Sequence, residues 1–207
     1  MIQNYTEVIH DIKFRFATEM ALRPFVEPLL EAIENIPADR IKDGFRIRAG
    51  FSTFLLSEHN GGYDIAAPDF TDDPLTALNT DLTTALSIQY RQIFLLKKLG
   101  IMGEAVHFYD KMAVAKGALE KDNLVMKRFR EMGSSGWQLN SFSYGSSGKA
   151  EIDDAALFEP VFVYELMEKR PSLLDFMCLP YGYTAVFRGE VLAELFDDEG
   201  ESVIYNS

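Results

Sequence analysis

Between Leu22 and Ile33 the apolar residues Leu22, Val26, Leu29, Leu30 and Ile33 recur at three- and four-residue spacing, with Glu27, Glu31 and Glu34 between them. This spacing predicts an amphipathic helix over Arg23 to Ile36, with Pro24 and Pro28 tolerated in its first turns and Pro37 as its stop. From Gly44 to Leu56 the period changes to two. Phe45, Ile47, Ala49, Phe51, Thr53 and Leu55 alternate with Arg46, Arg48, Gly50 and Ser52, which predicts one long strand with a single core face. Asn60-Gly61-Gly62 supplies residues that accept positive φ, so the run Tyr63 to Ala67 is expected to return as the second arm of a hairpin and to end at Pro68. The clearest helix runs from Asp81 to Leu99. Thr80 or Asp81 can cap its first amides, and Lys97 and Lys98 suit its negative end before Gly100.

Beyond Gly100 the elements are shorter. Ala105 to Val114 and Asn123 to Phe129 suggest strands, and the glycine-serine stretches Gly133 to Gly136 and Ser143 to Lys149 bracket a further strand, Trp137 to Phe142. A helical pattern follows over Val161 to Lys169. Pro171 opens a second short helix through Leu174 and Met177, and Tyr183 to Phe187 with Val191 to Phe196 form a last hairpin turning at Arg188-Gly189-Glu190. The expected fold class is α+β, with antiparallel strands and hairpins packed against several helices. The composition shift near Phe129 to Gly133 suggests an amino-terminal region 1–130 and a carboxy-terminal region 131–207. That boundary is soft, and one compact unit is the alternative.

The chain has 207 residues, 47% of them hydrophobic and 25% charged, enough to bury a core of its own without staples. Charge adds a bias in partners. Lys and Arg number 20 against 32 Asp and Glu, a net charge of −12, which repels nucleic acid and anionic lipid and attracts a basic protein surface. The amino terminus shows no apolar run behind a basic start, and no stretch is long and apolar enough to span a bilayer, so the expected location is the cytoplasm, without membrane attachment. A single cysteine, Cys178, fits a reducing compartment.

Catalytic and metal motifs fail one by one. His10, His59 and His107 have no second His or Cys at ligand spacing. Gly145 to Lys149 resembles a phosphate loop, but Ser143 stands where a glycine is needed and Ala150 where a hydroxyl is needed. Gly133-Ser134-Ser135-Gly136 lacks the spacing of a nucleophile elbow, since Trp137 occupies the second glycine position. Asp69, Asp72 and Asp73 lack the alternation and distal Glu of a calcium loop. Met177 and Leu179 beside Cys178 imply a buried, unreactive thiol. No catalytic, cofactor-binding or metal-binding residue is assigned, no cofactor is expected, and the protein is not expected to be an enzyme. The candidates for partner contact are Trp137, as an aromatic anchor, and two acidic groups, Glu151, Asp153 and Asp154 in one and Asp197, Asp198, Glu199 and Glu201 in the other.

Five short motifs follow in order from Ser135 to Arg188: Ser135-Gly136-Trp137, Val163-Tyr164-Glu165-Leu166, Pro171-Ser172-Leu173-Leu174, Leu179-Pro180-Tyr181-Gly182 and Phe187-Arg188. Together they resemble the DUF-type bacterial immunity proteins classed as immunity protein thirty-three and its relatives. Gly50-Phe51-Ser52, Pro68-Asp69 and Asp81-Leu82-Thr83 resemble the amino-terminal part of longer members. Two features differ: in place of the acidic stretch the family carries after the Trp, Gln138 to Phe142 runs into Ser143-Tyr144-Gly145, and Arg170 stands where the family carries an acidic residue before the proline. The resemblance implies a protein that binds and neutralises a cognate toxin in bacterial competition by stoichiometric contact, and it brings no catalytic residues with it. The rival readings are a non-catalytic small-molecule or regulatory binding module, and an enzyme whose site no motif reveals.

Overall fold

A computed structural model describes residues 1–146, 150–153 and 157–205. The chain forms two compact units, Met1–Arg91 and Gln92–Ser207. Strand outweighs helix, 40% to 26%, so the α+β class holds in a sheet-dominated form.

The first unit is a six-stranded sheet. Strands β1 (Ile2–Ile9) and β2 (Ile12–Glu19) form a hairpin over His10 and Asp11, both at positive φ of 53° and 61°. A 3-10 turn, Met20–Val26, leads into α1 (Glu27–Glu34), which carries Pro28 in its first turn as expected. Then come β3 (Phe45–Ala49), β4 (Ser52–His59), β5 (Gly62–Pro68) and the short β6 (Leu78–Asn79), in the order β1-β2-β5-β4-β3 with β6 on β5. The stretch expected as one strand over Gly44 to Leu56 is instead two strands. The chain reverses over Gly50-Phe51, where Ala49 pairs with Ser52 and the alternation changes phase, so Phe54 and Leu56 face the core in place of Thr53 and Leu55. The next hairpin turns at Asn60-Gly61 as expected, with φ of 45° and 69° and His59 paired to Gly62. The pairing is mixed, because β2 and β5 run parallel through Phe14 and Tyr63. Phe14, Phe16, Val26, Leu29, Ile33, Phe54, Leu56, Ile65, Leu82 and Leu86 form the core between sheet and helix.

Helix α2 (Thr83–Leu99) contains the boundary between the units, and the Asp81 carboxylate accepts the Thr83 amide at 3.0 Å at its start. The second unit holds an eight-stranded sheet made of β7 (Lys111–Ala115), β8 (Asn123–Arg128), β9 (Trp137–Tyr144), β10 (Ala150–Ile152), β11 (Phe158–Phe162), β12 (Thr184–Arg188), β13 (Val191–Phe196) and β14 (Ser202–Tyr205). The order is β11-β7-β9-β8-β12-β13-β14, with β10 on β9 and a parallel β7–β9 pair. The composition shift at Phe129 to Gly133 is the connection between β8 and β9, which pair directly from Leu124–Ser141 to Arg128–Trp137. Residues 161 and 162, expected in a helix, close β11. The helical layer is a 3-10 turn (Val163–Glu165), α3 (Leu166–Lys169) and a second 3-10 segment (Pro171–Phe176).

Alternation sorts the second sheet into two faces. Met112, Val114, Leu124, Met126, Trp137, Leu139, Ala185, Phe187 and Leu195 are buried on one. Phe176 packs edge-on against Phe187 at 5.2 Å, and the Gln92 amide donates to the Leu174 carbonyl at 2.8 Å, so the helical layer covers this face. The other face carries Lys127, Val125, Asn140, Tyr144, Val186, Arg188 and Glu194, all at least partly exposed.

Candidate functional site

The polar chemistry buried in the second unit centres on Arg128. Strand alternation puts it in phase with Leu124 and Met126, so its side chain enters the core and is 2% exposed. Its Nε donates to the Ser135 carbonyl at 3.1 Å, and its Nη1 donates to the carbonyls of Glu104 at 3.0 Å, Met177 at 3.4 Å and Leu179. The Tyr181 ring lies 4.6 Å from the guanidinium and the Trp137 ring 5.8 Å. Burial pulls the Arg128 pKa below the usual arginine range. With carbonyl dipoles and ring faces in place of a carboxylate, this cation ties three loops to the sheet.

Trp137, expected as an anchor for a partner, is wholly buried and its indole N–H donates to the Met177 carbonyl at 3.0 Å. It presents no surface and serves the same junction as Arg128. The Ser135-Gly136-Trp137 and Leu179-Pro180-Tyr181-Gly182 motifs therefore meet at one structural node. Arg170, the residue that departs from the family pattern, has a role of its own. It donates to the carbonyls of Leu119 (2.8 Å) and Lys121 and pairs with Glu190 at 3.0 Å, fastening the turn before β8 to the β12–β13 turn.

The acidic candidates divide. Asp153 accepts the hydroxyls of Ser141 at 2.6 Å and Ser143 at 2.8 Å, bonds that hold its carboxyl below the usual range and close the β9–β10 hairpin. Asp197 accepts the amides of Glu199 at 3.0 Å and Glu201 at 2.8 Å, shaping the β13–β14 turn. Glu151, Asp198, Glu199 and Glu201 are exposed. Asp154 and the Ser147 to Lys149 part of the glycine-serine loop lie outside the described residues.

Each histidine has its own neighbour. His10 Nε2 lies 2.9 Å from the Glu34 carbonyl, His59 Nδ1 lies 2.8 Å from Asp64, and the His107 ring stacks on Tyr109. Asp69 accepts the Thr71 hydroxyl at 2.6 Å, a turn-forming bond. Among the described residues no group of three or more His, Cys, Asp or Glu converges as a metal site would require. Cys178 is buried, and desolvation pushes its thiol pKa up to about 12. Iodoacetamide at pH 8 is therefore expected to leave the native protein unmodified and to label it once in guanidinium; labelling of the native chain at the rate of a free thiol would show that the burial is wrong.

The sequence reading missed the open face of the second sheet. On it Val125, Phe142, Tyr144, Ile152 and Val186 surround a hollow of about 170 Å³, with Arg188 and Glu194 also lining it. The signal was present in β9, where Phe142 and Tyr144 occupy positions that alternation gives to polar side chains.

A sheet-dominated α+β unit, with Arg128 and Trp137 committed to the frame and one sheet face open, is the class that this geometry defines. Residues 91–198, more than half of the chain, match the Imm33-like domain, and the chain belongs to that family of immunity proteins. The matched segment covers most of the second unit and ends before β14. No curated protein and no solved structure matches the chain.

Proposed function

We propose that the protein binds a cognate bacterial toxin through stoichiometric contact and neutralises it, without catalytic turnover, in the cytoplasm of the producing cell. The observation that carries this reading is the family match over the second unit. The net charge of −12, with Glu151, Asp198, Glu199 and Glu201 exposed, supports a toxin with a basic contact surface. No helix among the described residues is long and apolar enough to cross a membrane.

The test reads the gene immediately upstream, where a toxin domain is expected, and uses that domain; a neighbouring gene for a metabolic enzyme would count against the reading. Co-expression is expected to restore growth, and titration of the purified toxin is expected to end at one chain per toxin, independent of incubation time. An endpoint that drifts with time would mean turnover, and no protection with no complex would refute the reading. Steering makes a further prediction. Between 50 and 500 mM salt the Debye length contracts from roughly 14 to 4 Å, so association should slow steeply while dissociation changes little. Neutralising the exposed acids nearest the contact to Asn or Gln should lower the on-rate in the same way. A flat salt dependence, with protection unaltered in the neutralised variants, removes steering and leaves neutralisation standing.

A further inference from the structure

We propose that the hollow on the open face of the second sheet seats a lysine or arginine side chain of a basic protein partner, its methylene stem on the apolar floor and its charge at Glu194. The proposal rests on the neutralisation reading and names the surface that serves it. Strand register builds the hollow. Glu194 of β13 pairs with Val186 of β12, Val186 pairs with Val125 of β8, and Ile152 of β10 pairs with Phe142 of β9, so these side chains share one face. Ile152 is 63% exposed and Tyr144 50%, an apolar surface that folding alone leaves open.

Size and charge select the occupant. A volume of about 170 Å³ lies below the roughly 300 Å³ at which small-molecule pockets begin, and suits a single long side chain. The Glu194 carboxylate forms no ion pair with the described residues, whereas Glu165 and Glu190 of the same unit are paired with Lys169 and Arg170. Arg188 is laid over the Tyr144 ring at 5.9 Å. Further acid, Asp197 to Glu201, follows directly after β13. A cation entering here therefore meets the Glu194 carboxylate, the charge of Arg188 being laid over the Tyr144 ring, while its stem gains the apolar contact that long basic side chains use at interfaces.

Two measurements test this, one of which needs no toxin. In NMR titration of the isotope-labelled full chain, N-acetylarginine methylamide is expected to shift the amides of Val125, Val186 and Glu194, and Glu194→Gln to abolish the shifts. N-acetylglutamate methylamide is expected to leave them in place. Against the toxin domain expected from the upstream gene, Glu194→Gln is expected to weaken binding about tenfold and Val186→Lys, which puts a like charge in the seat, a hundredfold or more, with melting temperatures kept. If Val186→Lys does not fold, Ile152→Ser replaces it, with a several-fold loss expected. Wild-type affinity in folded Glu194→Gln and Val186→Lys (or Ile152→Ser) overturns the hollow and leaves neutralisation intact. If the wild-type chain binds no toxin, neutralisation fails, and the arginine titration decides the hollow alone: shifts lost in Glu194→Gln sustain it, while no shifts, or equal shifts with the glutamate probe, refute it.

Discussion

Arg128→Ala is expected to destabilise the protein by about 4 kcal/mol, a large part of the 5–15 kcal/mol that holds a typical domain together. Two costs add. The carbonyls of Glu104, Ser135 and Leu179 lose this donor, while that of Met177 keeps the Trp137 indole N–H, and an unsatisfied buried acceptor costs on the order of 1 kcal/mol or more. The guanidinium and its stem also leave a void between Tyr181 and Trp137, whose rings lie 4.6 and 5.8 Å from it. Arg128→Lys keeps the charge and loses the planar fork that reaches several carbonyls at once, so it should recover only about half of the loss. Urea unfolding measures both, and hydrogen exchange should show first loss of protection at the Gly182 amide, which donates to the Arg128 carbonyl at 2.8 Å, and at Trp137. A loss below about 1 kcal/mol for Arg128→Ala would mean that water replaces the guanidinium at the carbonyls, and that the node is not the frame described above.

Arg128 also shows where sequence reading stops. In the run Lys127, Arg128 and Arg130, only the phase of Arg128 with Leu124 and Met126 marks it as facing the core. The β1–β2 hairpin carries a similarly mixed signal, Phe14, Phe16 and Thr18 alternating inward behind an exposed first strand. The Asn60-Gly61 turn, the long helix and the β12–β13 hairpin were legible because each depends on local residues with one conformational preference, whereas the helix expected from Arg23 becomes α-helical only at Glu27, after the 3-10 turn Met20–Val26. The Gly50-Phe51 reversal was not, because Arg46, Arg48 and Ser52 continue the alternation on both sides of a two-residue turn. Parallel pairing of β7 with β9 and of β2 with β5 leaves no local trace at all. The acidic candidates were visible as charges, but the hydrogen bonds that commit Asp153 and Asp197 to turns depend on tertiary neighbours. The hollow is a product of register across five strands, and only the misplaced aromatics of β9 hinted at it.

Gly136→Ala is expected to cost about 3–4 kcal/mol, against about 1 kcal/mol for Gly189→Ala, and the difference isolates what the Ser135-Gly136-Trp137 motif does. Both glycines adopt left-handed backbone, with φ of 79° and 60°, so both substitutions incur the same conformational penalty of about 1 kcal/mol. Around Gly189 a Cβ would meet nothing within 4 Å. At Gly136 it would stand 2.6 Å from the Phe129 carbonyl oxygen and 2.8 Å from Tyr181 Cε1. The carbonyl cannot retreat cheaply, because the Phe129 amide donates to the Gly136 carbonyl at 2.7 Å and the next pair, Arg128–Trp137, is the last rung of the β8–β9 ladder. Moving Tyr181 would lift the ring from Arg128 and from Arg130, 5.2 Å away on the ring's other contact. Paired urea melts of the two variants read the difference directly, and equal losses would show that the glycine is required for backbone conformation alone. Toxin protection adds a second axis. Gly136→Ala should lose it in proportion to the unfolded fraction and regain it on cooling, whereas Glu194→Gln should weaken binding at every temperature with its melt unchanged. The Ser135-Gly136-Trp137 motif thus belongs to the frame, and of the side chains around the proposed seat only Arg188 falls within a motif.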